Sequence, residues 1–214
     1  MLVIFPLDKT TEYLNPIIDD PLKSIFAGIY SEFHEDNYED TFTVIENFSR
    51  KATVLYLGHG SDEELKLNVN ITMSAYDCKK VFREKKLFLL SCFSSELVDN
   101  LDKEYHVAIG FGNIIDSKTD LSPKDDLKYR HNEYNCIYIF RSKVVSIIKN
   151  SLVEAYYNNC TFLQLYYALR LRINKTISIC SLSKDKTDRL VGELMFDLKK
   201  HMILKGNFNA HVFE

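Results

Sequence analysis

Val54-Leu55-Tyr56-Leu57-Gly58-His59-Gly60-Ser61 is an apolar run of strand length that ends in a histidine held between two glycines. The chain has only seven glycines, so two of them around one imidazole mark a tight turn or a close backbone approach. A second stretch has the same form. Leu87-Phe88-Leu89-Leu90-Ser91-Cys92-Phe93-Ser94-Ser95 is an apolar run that ends in a cysteine followed by small polar residues. Neither run alternates, as befits strands covered on both faces. Leu2–Phe5 and His106–Phe111 read the same way, which gives four expected strands with Thr53–Leu57 and Leu87–Leu90.

Helical spacing lies between these runs. Pro21–Phe33 sets Leu22, Ile25, Phe26, Ile29 and Phe33 on one face, with Asp20 as cap and Pro21 in the first turn. Ser74–Glu84 carries Ala75, Cys78, Val81 and Phe82 behind a Ser74 cap. A short hairpin near Leu65–Val69 is expected ahead of it. The alternation of strand and helix predicts an α/β layer fold with a mostly parallel sheet. Functional loops then gather at the carboxyl ends of the strands.

The second half is more helical. Arg141–Tyr157 forms one helix, and Thr161-x-x-Gln164 is a capping box that opens another. Lys184–Leu204 is a long amphipathic helix. Ile177–Leu182 and Phe208–Phe213 are expected as short late strands. Asp116–Asn135 is the most polar stretch and reads as a loop or insertion within one domain spanning residues 1–214.

Composition narrows the function. The chain has 214 residues, 46% of them hydrophobic, enough to bury roughly 70% of its unfolded surface without staples. Intrinsic disorder is excluded by that content. A net charge of −3 argues against nucleic acid as a direct partner. The five cysteines, at 78, 92, 136, 160 and 180, have neither zinc-site spacing nor the density of a disulfide framework. No run approaches a membrane span, and the amino terminus lacks a basic leader. A cytoplasmic protein with reduced thiols is expected.

A thiol and an imidazole at the ends of neighbouring parallel strands are the parts that nucleophilic catalysis needs. Free cysteine, with a pKa of about 8.5, is mostly protonated at neutral pH, so an adjacent base must take its proton. His59 is placed to be that base and Cys92 the nucleophile. Backbone N–H groups at Gly60 and Cys92 are the candidate oxyanion donors. No metal or organic cofactor is required. Gly110-x-Gly112 lacks a third glycine at Ile115, and no Gly-x-x-x-x-Gly-Lys loop exists, which excludes the usual nucleotide loops. The remaining histidines lack ligand spacing.

The pair "LYLGHGS" and "LFLLSCFS" resembles the His and Cys boxes of the caspase-like cysteine peptidases of clan CD, most closely the CHAT and separase-like group. "HVAIGFGNIIDSKTD" and "SLVEAYYNNCTFLQLYYALRLRIN" resemble the third box and the helical region that follow. The likeness covers roughly residues 50–175. It implies a caspase-like three-layer sandwich, a mostly parallel sheet with helices on both faces. It also implies a cysteine endopeptidase that cleaves protein substrates through a Cys–His dyad. An acidic loop that selects a basic P1 residue is implied too, with Asp116 as first candidate and Asp120 as second. Because little chain lies outside the domain, control by a sensor or regulatory partner protein is expected. The implied setting is a bacterial antiphage or stress-response system. Ser91, where many relatives have alanine, and the absence of tryptophan are departures. A catalytically inactive scaffold of the same fold is the rival reading. A different hydrolase or transferase using the same dyad is a third.

Overall fold

A computed structural model describes residues 1–6, 9–25, 27–31, 38–68, 70–115 and 133–213. The strands are β1 (Leu2–Pro6), β2 (Ala27–Ser31), β3 (Thr53–Leu57), β4 (Glu64–Lys66), β5 (Thr72–Ser74), β6 (Lys86–Leu90), β7 (Val107–Gly110) and β8 (Ile203–Gly206). The α-helices are α1 (Tyr38–Asn47), α2 (Ala75–Val81), α3 (Ser94–Asn100), α4 (Glu133–Tyr157), α5 (Phe162–Leu182) and α6 (Lys186–His201). Short 3-10 turns at Glu12–Ile17 and Leu22–Ile25 follow β1.

Six strands form one sheet in the order β2-β1-β3-β6-β7-β8. All neighbours pair parallel except β7 and β8, which are antiparallel. The fold is therefore α/β with a mostly parallel sheet. β4 and β5 form a separate antiparallel ribbon, close to the expected hairpin.

Alternation along each buried strand divides the core in two. Phe5, Leu55, Leu57, Phe88, Leu90 and Ile109 face α4, α5 and α6 through Phe140, Ile148, Leu165, Leu169, Val191 and Leu194. Ile4, Val54, Tyr56, Leu87, Leu89 and Ala108 face the other way, against Ile45, Cys78, Val81, Leu97 and Val98 of α1, α2 and α3. Helices thus cover both faces, which is why the central strands read as unbroken apolar runs.

Local signals explain the helix starts. Ser74 and Asp77 form a reciprocal capping box on α2, and Thr161 and Gln164 form another on α5. Asp185 accepts the Thr187 N–H to open α6.

Three expectations fail. The stretch after Pro21 is not one helix. A 3-10 turn ends at Ile25, and residues 27–31 pair residue for residue with β1 as a parallel edge strand. Its apolar spacing fits either period, and tertiary pairing decides. Ile177–Leu182 is the last part of α5, not a strand, because Ile177 and Cys180 pack on the helical core. The late strand lies instead at Ile203–Gly206, and His211 makes only an isolated bridge to Thr161.

Phe88 lies at the centre of the sheet, fully buried, with its ring 5.5 Å from that of Phe111. Phe88→Ala is expected to cost about 3–5 kcal/mol of stability, read as a lowered urea midpoint at unchanged m-value.

Candidate active site

The register between β3 and β6 builds the site. Every pair from Thr53↔Lys86 to Leu57↔Leu90 joins residues 33 apart, and His59 and Cys92 have the same separation. Both stand two residues beyond the last paired position, at the carboxyl edge of adjacent central strands. Gly58 N–H donates to Leu90 O at 3.2 Å, so contact between the strands continues past Leu57. Adjacent strands run about 4.8 Å apart, so His59 and Cys92 follow neighbouring strand ends.

The chain leaves β1 towards β2 on one side and later enters β3 on the other, so the strand order reverses between β1 and β3. Open α/β sheets bind ligands at such a point. Thr10, just beyond β1, spans this crevice, with its Oγ1 2.5 Å from His59 Nε2. One of the two atoms carries the shared hydrogen, and the contact orients the imidazole. Nothing in the spacing of the sequence pointed to Thr10. The segment is anchored where Thr11 Oγ1 donates to Pro6 O and where the Arg141 guanidinium lies 4.4 Å from the Tyr13 ring centroid.

Close packing explains the paired glycines. A Cβ on Gly58 would stand 2.9 Å from the Tyr56 hydroxyl, and one on Gly60 would stand 2.9 Å from Ser91 Oγ and 3.0 Å from Glu64 O. Side chains of neighbouring residues already fill that space. Tyr56 folds back over Gly58, and its hydroxyl lies 2.6 Å from both His59 O and Lys66 O. Lys66 N–H also donates to His59 O, at 2.9 Å.

Cys92 is half-buried, and its thiol donates to Ile114 O at 3.2 Å. A carbonyl acceptor favours the protonated thiol. Phe93 follows with φ +54°, a strained conformation for a bulky residue, and turns the chain from β6 into α3. Its N–H is held by Gly112 O at 3.1 Å. Burial raises the pKa of the other four thiols, Cys78, Cys136, Cys160 and Cys180, and pushes Cys136 up to about 11.

The structure brings His59, Gly60 and Cys92 to one edge of the sheet. Asp116 and Asp120 lie outside the described residues. Among the described residues no group of three His, Cys, Asp or Glu could hold a metal ion, and no helix is long and apolar enough to cross a membrane.

An open groove of about 1020 Å³ lies at the opposite, amino-terminal edge of the sheet. Its lining includes Arg50, Lys80, Arg83, Glu46, Glu84 and Glu104. Those charges pair as Arg50–Glu84, Lys80–Glu46 and Arg83–Glu104 at 3.5–3.8 Å. Buried Lys85 donates to Phe48 O at 2.8 Å, and burial lowers its pKa. This lining contains no cysteine or histidine, so size alone does not make it the reactive site.

No family model matches the chain, and the search of curated proteins gave no match.

Two serines at the Cys92 tip make opposite predictions. Ser94 Oγ accepts the Phe111 N–H at 2.9 Å and lies 2.6 Å from Leu89 O and 3.0 Å from Ser91 O. Ser91 Oγ is buried with no hydrogen-bond partner among the described residues. Ser94→Ala is expected to lower stability by about 1–3 kcal/mol, because it orphans a buried N–H. Ser91→Ala is expected to leave stability unchanged or raise it by up to about 1 kcal/mol. Thermal unfolding of the two variants beside the parent checks both signs.

Proposed function

We propose that the chain is a caspase-like cysteine endopeptidase acting on protein substrates, with Cys92 as nucleophile and His59 as general base. The observation that supports this most is the shared register of the two residues on adjacent parallel strands, beside the reversal of strand order. The three-layer arrangement, with helices on both faces of a mostly parallel sheet, is compatible with that family's architecture.

The chemistry balances without a cofactor. His59 takes the thiol proton, and the sulfur bonds to the scissile carbonyl carbon while the carbonyl π pair moves to oxygen. The tetrahedral intermediate collapses, the C–N bond breaks, and the imidazolium gives its proton to the leaving amine. Water then adds to the thioester as His59 takes its proton. The C–S bond breaks, the acid product leaves, and the thiolate recovers the proton. Gly60 and Cys92 N–H groups are the oxyanion donors in this reading. Asp116 and Asp120 are proposed as the carboxylates that select Arg or Lys at P1 by charge-assisted pairing. A regulatory or sensor partner chain, in a cytoplasmic antiphage or stress response, completes the proposal.

One contact favours a second reading, a non-catalytic interaction module. The bond from Cys92 to Ile114 O stabilises the neutral thiol. In a working enzyme that bond must open before the sulfur reacts, which suits control by a partner.

The readings separate by thiol labelling. At pH 7.5 iodoacetamide is expected to modify Cys92 ahead of the other four cysteines. Cys136 should become reactive only as pH approaches its raised value of about 11. His59→Ala should remove the preference for Cys92, as mapped by mass spectrometry of the native protein. A panel of fluorogenic peptides with Arg, Lys, Asp or Met at P1 then tests hydrolysis. The peptidase reading predicts turnover that Cys92→Ala and His59→Ala each abolish, greatest with Arg or Lys. Uniform slow labelling and no turnover would sink it in favour of the module.

A further inference from the structure

We infer that Tyr56 is a positioning residue that aims the Gly60 N–H at the reacting carbonyl oxygen; the inference rests on the acyl-transfer reading above. The geometry starts from one peptide unit. The His59 carbonyl and the Gly60 N–H belong to the same planar trans amide, so they point in opposite directions. The carbonyl end is fixed by the Lys66 N–H at 2.9 Å and by the Tyr56 hydroxyl, whose single hydrogen is shared between His59 O and Lys66 O, each at 2.6 Å. The N–H end therefore points away from β4. The isolated bridge between Gly60 and Leu65 agrees, because its flanking bonds run from Lys66 to His59 and from Ser61 to Glu64, leaving the Gly60 N–H turned outward. Ser91 Oγ lies where a Gly60 Cβ would stand, so the tip of β6 packs against Gly60, with Cys92 next in the chain.

The arrangement is rigid. Tyr56 is fully buried in the second core cluster, so its ring has one available position. Its hydroxyl reaches His59 O only because Gly58 has no side chain to obstruct it. A hydrogen bond to the carbonyl also polarises the amide and strengthens its N–H as a donor. A donor fixed before substrate arrives needs no reorganisation when charge develops on the carbonyl oxygen. This gives the conserved-volume substitution Tyr56→Phe a specific meaning, since it removes the hydroxyl and leaves the packing.

The test compares Tyr56→Phe with the parent in the full chain. Gly60 amide exchange, followed by NMR, reads the clamp itself and should be faster in the variant. With a fluorogenic peptide, kcat should fall by about tenfold or more while KM stays within about twofold, short of the full loss seen when an oxyanion donor is deleted. Affinity for a peptide aldehyde should fall by a similar factor. There the Cys92 sulfur bonds to the aldehyde carbon, the π pair moves to oxygen, and that oxygen takes the imidazolium proton. Iodoacetamide labelling of Cys92, which develops no oxyanion, should be unchanged. Unchanged Gly60 exchange, or unchanged kcat and aldehyde affinity, would overturn the role of Tyr56 while hydrolysis lost in Cys92→Ala left the peptidase reading standing. A parent protein that forms no aldehyde adduct on Cys92 would overturn both.

Discussion

The parallel pairing of β3 with β6 is the constraint on which the rest of the molecule depends. Both strands are buried at every position, so their register is fixed from two faces at once. A slip of one residue would exchange the two core clusters and drive Tyr56 and Leu89 into the opposite layer. The packing that excludes this slip also sets the level of whatever follows each strand. His59 and Cys92 inherit their alignment from Leu57 and Leu90, which contribute no chemistry themselves. Core burial and site assembly are here one problem with one solution.

The glycines on either side of His59 follow from what fills the space above them. Tyr56 occupies the volume of a side chain at 58, and Ser91 occupies that at 60. The glycine-flanked histidine is then a record of close packing between two strand tips as much as of backbone freedom. The same packing leaves a mixed polar account. Ser94 is tied into the backbone on three sides, whereas Ser91 has no partner among the described residues and the Cys92 thiol spends its hydrogen on Ile114.

Much of this was legible in the sequence. Thr53–Leu57 was read with the bounds it has, and Ser74 and Thr161 announced their helices through capping boxes. The failures have physical causes. The region after Pro21 offered Leu22, Ile25 and Ile29 at a spacing that suits a helix, but the edge of β1 supplied a pairing partner that no local pattern reveals. Ile177–Leu182 is apolar enough for a strand, yet it continues a helix whose start lies fifteen residues earlier, at Phe162. Thr10 and Tyr56 went unread for a different reason. Their relation to His59 is made by chain reversal and ring packing, and neither leaves a spacing to find.

The two edges of the sheet show why chemistry and cavity size diverge. At the amino-terminal edge, α1 and α2 splay around a wide groove whose cations and carboxylates neutralise one another, and Lys85 is consumed in holding the carbonyl of Phe48. At the carboxyl edge the strand order reverses between β1 and β3, where the Thr10 hydroxyl meets the His59 imidazole, while the Cys92 thiol follows β6 and donates to Ile114 O beyond β7. The five parallel strands all release their following loops at the same end. Among the described residues, the loops at the carboxyl end carry His59 and Cys92, the two groups on which the proposed chemistry rests.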